Sequence, residues 1–317
     1  MNLEMNLFNG LILLALGFCC GVLSGFFGVG GAFIITPFLN ILGLPMINAV
    51  ATGISFTVFS SLVGGIKHYF QRNILPKVGL IVGASTLLGV RLSQPLVVYL
   101  DQLSVAGFYI RLVYIFLLFL LGSIPLLKQQ NQRKKAVPSQ EQVKGFPPYL
   151  KMYDFTVSLW SLLLIGLFVG FLQGFMGVGG GFILVPLFIL ILGMDSHKAV
   201  GTSLLVILIS SVFGTYLYLL SGVVVFFVVV VLCVGTAFGI KFGVSALNNI
   251  SPANLQRFYS TFLLLASLGI VLRQLEMTII SLVYTFSLVL IVTLIIIIKY
   301  YYCLTLTSGK VESHQSK

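Results

Sequence analysis

The sequence predicts an all-α polytopic membrane protein built from two tandem repeats, each with a glycine-broken helix or hairpin, plus one extra C-terminal transmembrane helix. Three observations support this fold class: a composition suited to lipid, a series of long apolar runs, and an internal repeat that holds its register over most of the chain.

The composition is that of a chain surrounded by lipid. Hydrophobic residues make up 58% of the 317 residues and charged residues 8%, and the mean hydropathy is +1.11. Soluble domains are usually about 25% charged. A chain so poor in charge cannot cover a water-facing surface, so we expect a bilayer around it.

Apolar runs follow one another along the chain, and most are long enough to cross a bilayer. Two of them, 31–43 and 181–193, are short, and each follows a glycine cluster. The runs lie at about 8–27, 31–43, 48–66, 78–98, 105–127, 155–176, 181–193, 199–220, 223–246, 256–272 and 278–303.

An internal repeat divides the chain into two halves. GFFGVGGAFIITP begins at Gly25 and GFMGVGGGFILVP at Gly174, with nine of thirteen positions identical at an offset of 149. The match resumes at an offset of 150, where AVAT at Ala49 aligns with AVGT at Ala199. The predicted division is a first repeat (1–127), a basic cytoplasmic linker (128–152), a second repeat (153–275), an extra transmembrane helix (276–303) and a polar tail (304–317).

The glycine clusters are the strongest candidates for a binding site. They contain Gly28, Gly30 and Gly31 in the first repeat and Gly177, Gly179 and Gly180 in the second. Consecutive glycines disfavour a helix, and broken backbone at membrane depth is tolerated where it is buried in protein or lines a cavity. Short helices starting near Ala32 and Gly181 would expose free N–H groups suited to an anion. Close helix packing through small residues is the alternative.

Hydroxyl residues follow each cluster near the start of the next helix: Thr52 and Ser55 in the first repeat, Thr202 and Ser203 in the second. They could bind a substrate oxygen, or bond back to the helix carbonyl four residues earlier.

Two bases, Arg91 and Lys241, occupy equivalent positions at the ends of spans. They could line an anion path or extend to lipid head groups. By contrast, we expect the histidines His68, His197 and His314 to be solvated in loops or the tail.

The charges of the loops indicate whether the two halves have the same or opposite orientation in the membrane. A hairpin at each glycine cluster gives inverted repeats, whereas a single crossing there gives parallel ones. The 66–77 loop is basic and its equivalent around Ser221 is not, which favours inversion, with an outside N-terminus and a cytoplasmic C-terminus.

Several function classes are disfavoured by the residues present. The spans hold no Ser/His/Asp, paired-carboxylate or Cys/His metal pattern, so we expect no enzyme, no metal and no cofactor. The clustered bases lack interleaved aromatics, so positive-inside topology explains them better than nucleic-acid binding.

The duplicated G-F-[FM]-G-V-G-G-x-F-[IL] motif ending in proline, with the downstream A-V-x-T-[GS], resembles the TauE/SafE sulfite exporter family, also called the 4-toluene sulfonate uptake permeases. The resemblance covers residues 8 to 272. It implies a multi-pass permease of a bacterial cytoplasmic (inner) membrane that transports small sulfur-containing anions such as sulfite, sulfoacetate or other sulfonates.

The chain departs from its own repeat where Gly53 stands opposite Ser203. An anion channel and a non-transporting membrane scaffold stay open as alternatives. So do coupling to H+ or Na+, the direction of transport and the oligomeric state.

Overall fold

The fold is a helical bundle in a computed structural model that describes residues 7–132, 148–152, 155–247 and 250–315. The helices of the first half are α1 (Leu7–Phe27), α2 (Ala32–Ile41), α3 (Met46–Phe70), α4 (Pro76–Gln102) and α5 (Ala106–Gln132). The second half has α6 (Leu159–Met176), α7 (Gly181–Leu190), α8 (Ser196–Leu220), α9 (Phe226–Leu247) and α10 (Pro252–Gln274), and α11 (Thr278–Gln315) follows.

Nine helices of the described chain are long and apolar enough to cross a membrane. The other two, α2 and α7, have ten residues each, which is about 15 Å of helix and half of a bilayer core. The all-helical, multi-pass architecture predicted from composition is therefore confirmed. The two short helices begin at Ala32 and Gly181, where the glycine clusters predict them.

Helix directions follow from the residues that face each glycine. A Cβ on Gly64 of α3 would lie 3.1 Å from Leu204 of α8, and one on Gly214 of α8 would lie 3.0 Å from Ile54 of α3. Residue numbers that rise on one helix therefore fall on the other, so α3 and α8 are antiparallel. Because these helices are equivalent in the sequence repeat, we infer that the two halves are inverted.

Two seams join the halves through close helix packing. Gly17, Gly21 and Gly25 of α1 would each place a Cβ within 2.7 Å of a backbone oxygen of α9. In the other seam, Gly166 and Gly170 of α6 face the backbone of α4 in the same way. Small residues let these helix backbones touch, and each seam pairs a helix of one half with a helix of the other.

The ends of the bundle differ in charge. At one end, Lys67 of α3 lies near Lys241 of α9, and His68 lies near His197 of α8. At the other end, Arg111 of α5 lies near Arg273 of α10. We call the first the basic end, since the loop that follows α3 and the start of α8 add Arg72 and Lys198 to it.

The structure extends some elements beyond the predicted segments. Strands β1 (Tyr149–Met152) and β2 (Phe155–Ser158) form an antiparallel hairpin at the end of the predicted linker, which no sequence pattern indicates. Helix α5 continues to Gln132, and α11 continues to Gln315 through most of the predicted tail. Within the linker, residues 133–147 lie outside the described residues, so the linker and the tail stay predictions.

Candidate functional site

The glycine clusters end α1 and α6 and turn the chain into α2 and α7. Gly28 and Gly31 have φ angles of 69° and 79°, and Gly177 and Gly180 have 71° and 69°. Only glycine adopts this left-handed region without strain. The breaks therefore follow directly from the sequence, and each half carries a helical hairpin with a glycine tip.

The two hairpin tips meet in the centre of the bundle, beside the middle of α3 and α8. A Cβ on Gly30 would lie 3.3 Å from both Thr57 and Ile207, and 3.7 Å from the Cα of Gly179. A Cβ on Gly181 would lie 2.3 Å from the carbonyl oxygen of Gly28. Backbone packs directly on backbone here, so the second role considered for the glycines, close packing, also applies.

Seven carbonyl groups at or beside the tips are paired with side chains from other elements. In the first hairpin, the Gly25 carbonyl oxygen lies 3.0 Å from His68 Nε2, Ser203 Oγ donates to Gly28, and Ser60 Oγ donates to Gly30. In the second hairpin and the start of α7, the donors are Tyr218 to Gly174, Tyr114 to Met176, Thr36 to Gly177 and Tyr259 to Phe182.

The N–H groups at the tips lack such partners. Among the described residues, the backbone N–H groups of 29–33 and 178–182 make no hydrogen bond. A buried polar group without a partner costs about 1–3 kcal/mol. The unpaired donors at the starts of α2 and α7 give this central region a partial positive charge without a charged side chain, which suits an anion.

The predicted hydroxyls fall into two groups. Thr52 and Thr202 lie beside the N-terminal ends of α9 and α4. There their hydroxyl oxygens accept hydrogen bonds from the N–H groups of Val225 and Leu75, at 3.2 and 3.0 Å. Ser55 bonds back to the Ala51 carbonyl at 2.8 Å. Of the four, Ser203 is the one that contacts a glycine tip, through its 2.7 Å bond to Gly28.

The departure at Gly53 has a structural explanation. Ser203 supports the carbonyl of Gly28, but at the equivalent place Thr36 of α2 supports the carbonyl of Gly177 at 2.9 Å. A Cβ on Gly53 would lie 2.2 Å from Thr36 Oγ1. Glycine at 53 therefore makes room for a hydroxyl that arrives from a different helix.

The predicted basic residues Arg91 and Lys241 are exposed on the outer surface of α4 and α9. The structure does not bring them to the hairpin tips. Their roles as an anion path or as head-group anchors remain predictions.

The prediction that His68 and His197 are solvated in loops is wrong, since both lie in helices and neither is fully exposed. His68 is not in a loop, because α3 continues to Phe70, and its ring is fully buried against α1. His197 is partly buried in the first turn of α8, with Nε2 3.2 Å from the Leu247 carbonyl oxygen. The side chain of His314 lies outside the described residues. The neighbouring bases Lys67 and Arg72 made the His68 stretch look like a loop.

Sequence reasoning missed several residues that the structure places at the tips. Ser60, which donates to the Gly30 carbonyl, lies in a Ser-Ser pair that recurs at the repeat offset of 150, a signal that could have identified it. Thr36 and Tyr114 have no such signal, since each contacts a tip of the other half. Gln173, fully buried beside Gly180, was also missed.

A group of three or more His, Cys, Asp or Glu side chains that could hold a metal ion does not occur within the described chain.

Comparisons with known proteins give a consistent result. A sequence model of the family described as sulfite exporter TauE/SafE matches residues 13–270. The chain is 28% identical to the probable membrane transporter protein YdhB of Bacillus subtilis over 75% of its own length and 90% of that protein. It is 26% identical to a probable membrane transporter protein of Methanocaldococcus jannaschii over 80% and 91%. No solved structure matches the chain.

Proposed function

Since the chain belongs to the sulfite exporter TauE/SafE family and is a multi-pass membrane transporter, we propose that it carries small sulfur-containing anions such as sulfite, sulfoacetate or other sulfonates. The observation that carries this proposal is the set of backbone N–H groups at the two hairpin tips that make no hydrogen bond among the described residues, although several carbonyls beside them are paired with side chains. An oxyanion supplies the acceptors that these donors lack.

The proposed mechanism is alternating access around the tips. Each tip is reached by helices from both halves, so the anion would be held between the two hairpins near the middle of the bundle. Rocking of one half against the other would expose it to either side in turn, as in transporters with inverted repeats and broken helices. The positive-inside rule supports a cytoplasmic location for the basic end. The membrane that we propose is a bacterial cytoplasmic (inner) membrane.

The test is uptake of radiolabelled sulfite, sulfoacetate and taurine into proteoliposomes that contain the purified protein. We expect saturable uptake of at least one of them. Gly30→Leu should abolish it, because a side chain at Gly30 meets Thr57, Ile207 and the second tip. Gly65→Ala is the control, since a Cβ there meets nothing within 4 Å.

Other outcomes would contradict the proposal. Single-channel currents without saturation would identify an anion channel. A folded Gly30→Leu variant with unchanged uptake would show that the tips do not bind the substrate, and no anion flux in any form of the protein would favour a scaffold.

A further inference from the structure

Gln173 of α6 is a buried carboxamide without a partner. Its side chain is fully buried, and neither Oε1 nor Nε2 has a hydrogen bond among the described residues. Unpaired amides of this kind are costly in a protein interior, and a ligand or an ordered water usually completes them. The side chain therefore indicates a missing polar partner beside it.

The position of the carboxamide is at the second hairpin tip. A Cβ on Gly180 would lie 3.2 Å from Gln173 Oε1, so the amide lies against Gly180, the residue that precedes the first turn of α7. The N–H groups of Gly181 and Phe182 in that turn have no partner in the described chain. Free side-chain and backbone groups are thus placed together at the N-terminus of α7.

The same position of the first hairpin also carries an unpaired polar group. Ser24 is equivalent to Gln173 at the repeat offset of 149, is fully buried, and its Oγ has no partner among the described residues. Recurrence at both tips indicates a function for the position. The two groups differ in reach, because the carboxamide is two carbons longer and presents a separate donor and acceptor.

The chemistry of the two amide atoms defines the ligand. Free N–H groups and the amide Nε2 need acceptor oxygens, which any oxyanion has. Oε1 needs a donor, which a sulfonate head group lacks and a protonated oxyanion such as hydrogensulfite has. A 180° rotation about the Cγ–Cδ bond exchanges the positions of the amide oxygen and nitrogen. It leaves the need for one donor and one acceptor unchanged.

Resting on the proposed function, we propose that Gln173 makes the second hairpin tip selective for a monoanion that carries both acceptor oxygens and a proton, such as hydrogensulfite, over aprotic sulfonates. Sites built to hydrogen-bond a ligand hydroxyl discriminate strongly against analogues that lack it, because the protein group is left unpaired.

The experiment measures the KM of uptake for sulfite and for methanesulfonate in proteoliposomes, with the full-length protein. The wild type should prefer sulfite. Gln173→Met keeps the length of the side chain and removes both polar atoms, so the KM for sulfite should rise about tenfold or more, the size of one hydrogen bond to a charged ligand. The KM for methanesulfonate should change less, so selectivity falls.

A matched control is Leu172→Met, a methionine at the neighbouring buried position, which should leave both KM values unchanged. The shift of the thermal unfolding midpoint on addition of sulfite should persist in this control and be lost in Gln173→Met. If the methionine variant does not fold, Gln173→Asn withdraws the same amide by one carbon and should lower selectivity likewise.

Unchanged selectivity in a folded Gln173→Met or Gln173→Asn variant overturns the inference. Wild-type uptake of methanesulfonate in preference to sulfite also overturns it and leaves the proposed function intact. Failure of the wild type to transport either anion, together with sulfoacetate and taurine, removes the proposed function itself.

Discussion

The two hairpins share a backbone but differ in the side chains that support it. Both have glycines in the left-handed region at their first and last tip positions. In both, N–H groups at the centre have no partner in the described part of the chain. Their supporting groups differ. His68 and Tyr218 occupy equivalent positions in the repeat, as do Ser24 and Gln173. Thr36 supports the second tip as Ser203 supports the first. The comparison separates the shared backbone, which the proposed anion site needs, from the side chains, which can distinguish its ligands.

Backbone geometry recurs because it depends on glycine. Polar support varies because a carbonyl accepts a hydrogen bond from any donor that reaches it, whichever helix carries the donor. The symmetric part is therefore the framework that we propose for anion binding, and the asymmetric part is where selectivity can arise.

The largest effect on stability is expected when Gly181 of the second hairpin is replaced by alanine, the residue at the equivalent position of the first hairpin. Its equivalent in the first hairpin is Ala32, but a Cβ on Gly181 would lie 2.3 Å from Gly28 O and 2.6 Å from Val29 Cα. Gly181→Ala should destabilise the protein by about 3 kcal/mol, because backbone cannot yield as a side chain can. The midpoint of thermal unfolding in detergent measures this.

The reciprocal change, Ala32→Gly, should cost about 1 kcal/mol or less, the loss of helix propensity alone. Equal effects of the two substitutions would contradict the close contact between the tips.

The next effect concerns Thr36, whose hydroxyl supports the second tip as that of Ser203 supports the first. Thr36→Val keeps the shape of the side chain and leaves the carbonyl of Gly177 without its donor. We expect a loss of about 2 kcal/mol in stability, together with slower sulfite uptake because the second tip loses its support. Val185→Thr, at the equivalent position of the other half, adds a hydroxyl where Ser203 already pairs with Gly28 and should not improve uptake.

A smaller effect is expected at Tyr218. Tyr218→Phe removes the 2.8 Å bond to the Gly174 carbonyl and keeps the buried ring, so stability should fall by about 1 kcal/mol. His68→Phe tests the equivalent carbonyl, Gly25. A much larger loss of uptake than of stability in the His68 variant, and not in the Tyr218 variant, would show that the imidazole has a role beyond this hydrogen bond.

The smallest effect is expected from Arg91→Ala and Lys241→Ala. Both side chains are exposed on the outer surface, and exposed charges outside specific networks usually change stability by less than about 0.5 kcal/mol. Sulfite uptake should stay within about twofold of the wild type. A tenfold loss in either variant would instead favour the alternative that these bases line the anion path.

Parts of the fold were predictable because they depend on local composition. The starts of α2 and α7 were predictable because glycine breaks a helix wherever it clusters. The burial of His68 was not, because α3 continues past Lys67 through packing against α1, and bases near a helix end resemble those in a loop. The strands β1 and β2 also carried no signal, since each has only four residues.

The candidate site was predictable only in its backbone. The glycines of both tips were identified from the repeat, whereas the partner of the Gly177 carbonyl lies 141 residues away, on a helix of the other half. Thr52 and Thr202 followed from the same repeat, yet their oxygens accept N–H groups at the starts of α9 and α4. Repeat position alone does not indicate which hydroxyl faces a tip.

Hydrophobic composition and glycine placement alone determined that this chain enters a bilayer, folds as a duplicated helical unit and interrupts two of its helices at defined residues. Those properties depend on transfer to lipid and on backbone conformation, which act on each segment separately. The tertiary structure decided that the tips face each other, which side chains pair with the carbonyls beside them, and that the tip N–H groups and Gln173 have no partner among the described residues. These outcomes depend on which atoms the two halves bring within hydrogen-bond distance, and that distance exists only once the halves are packed together.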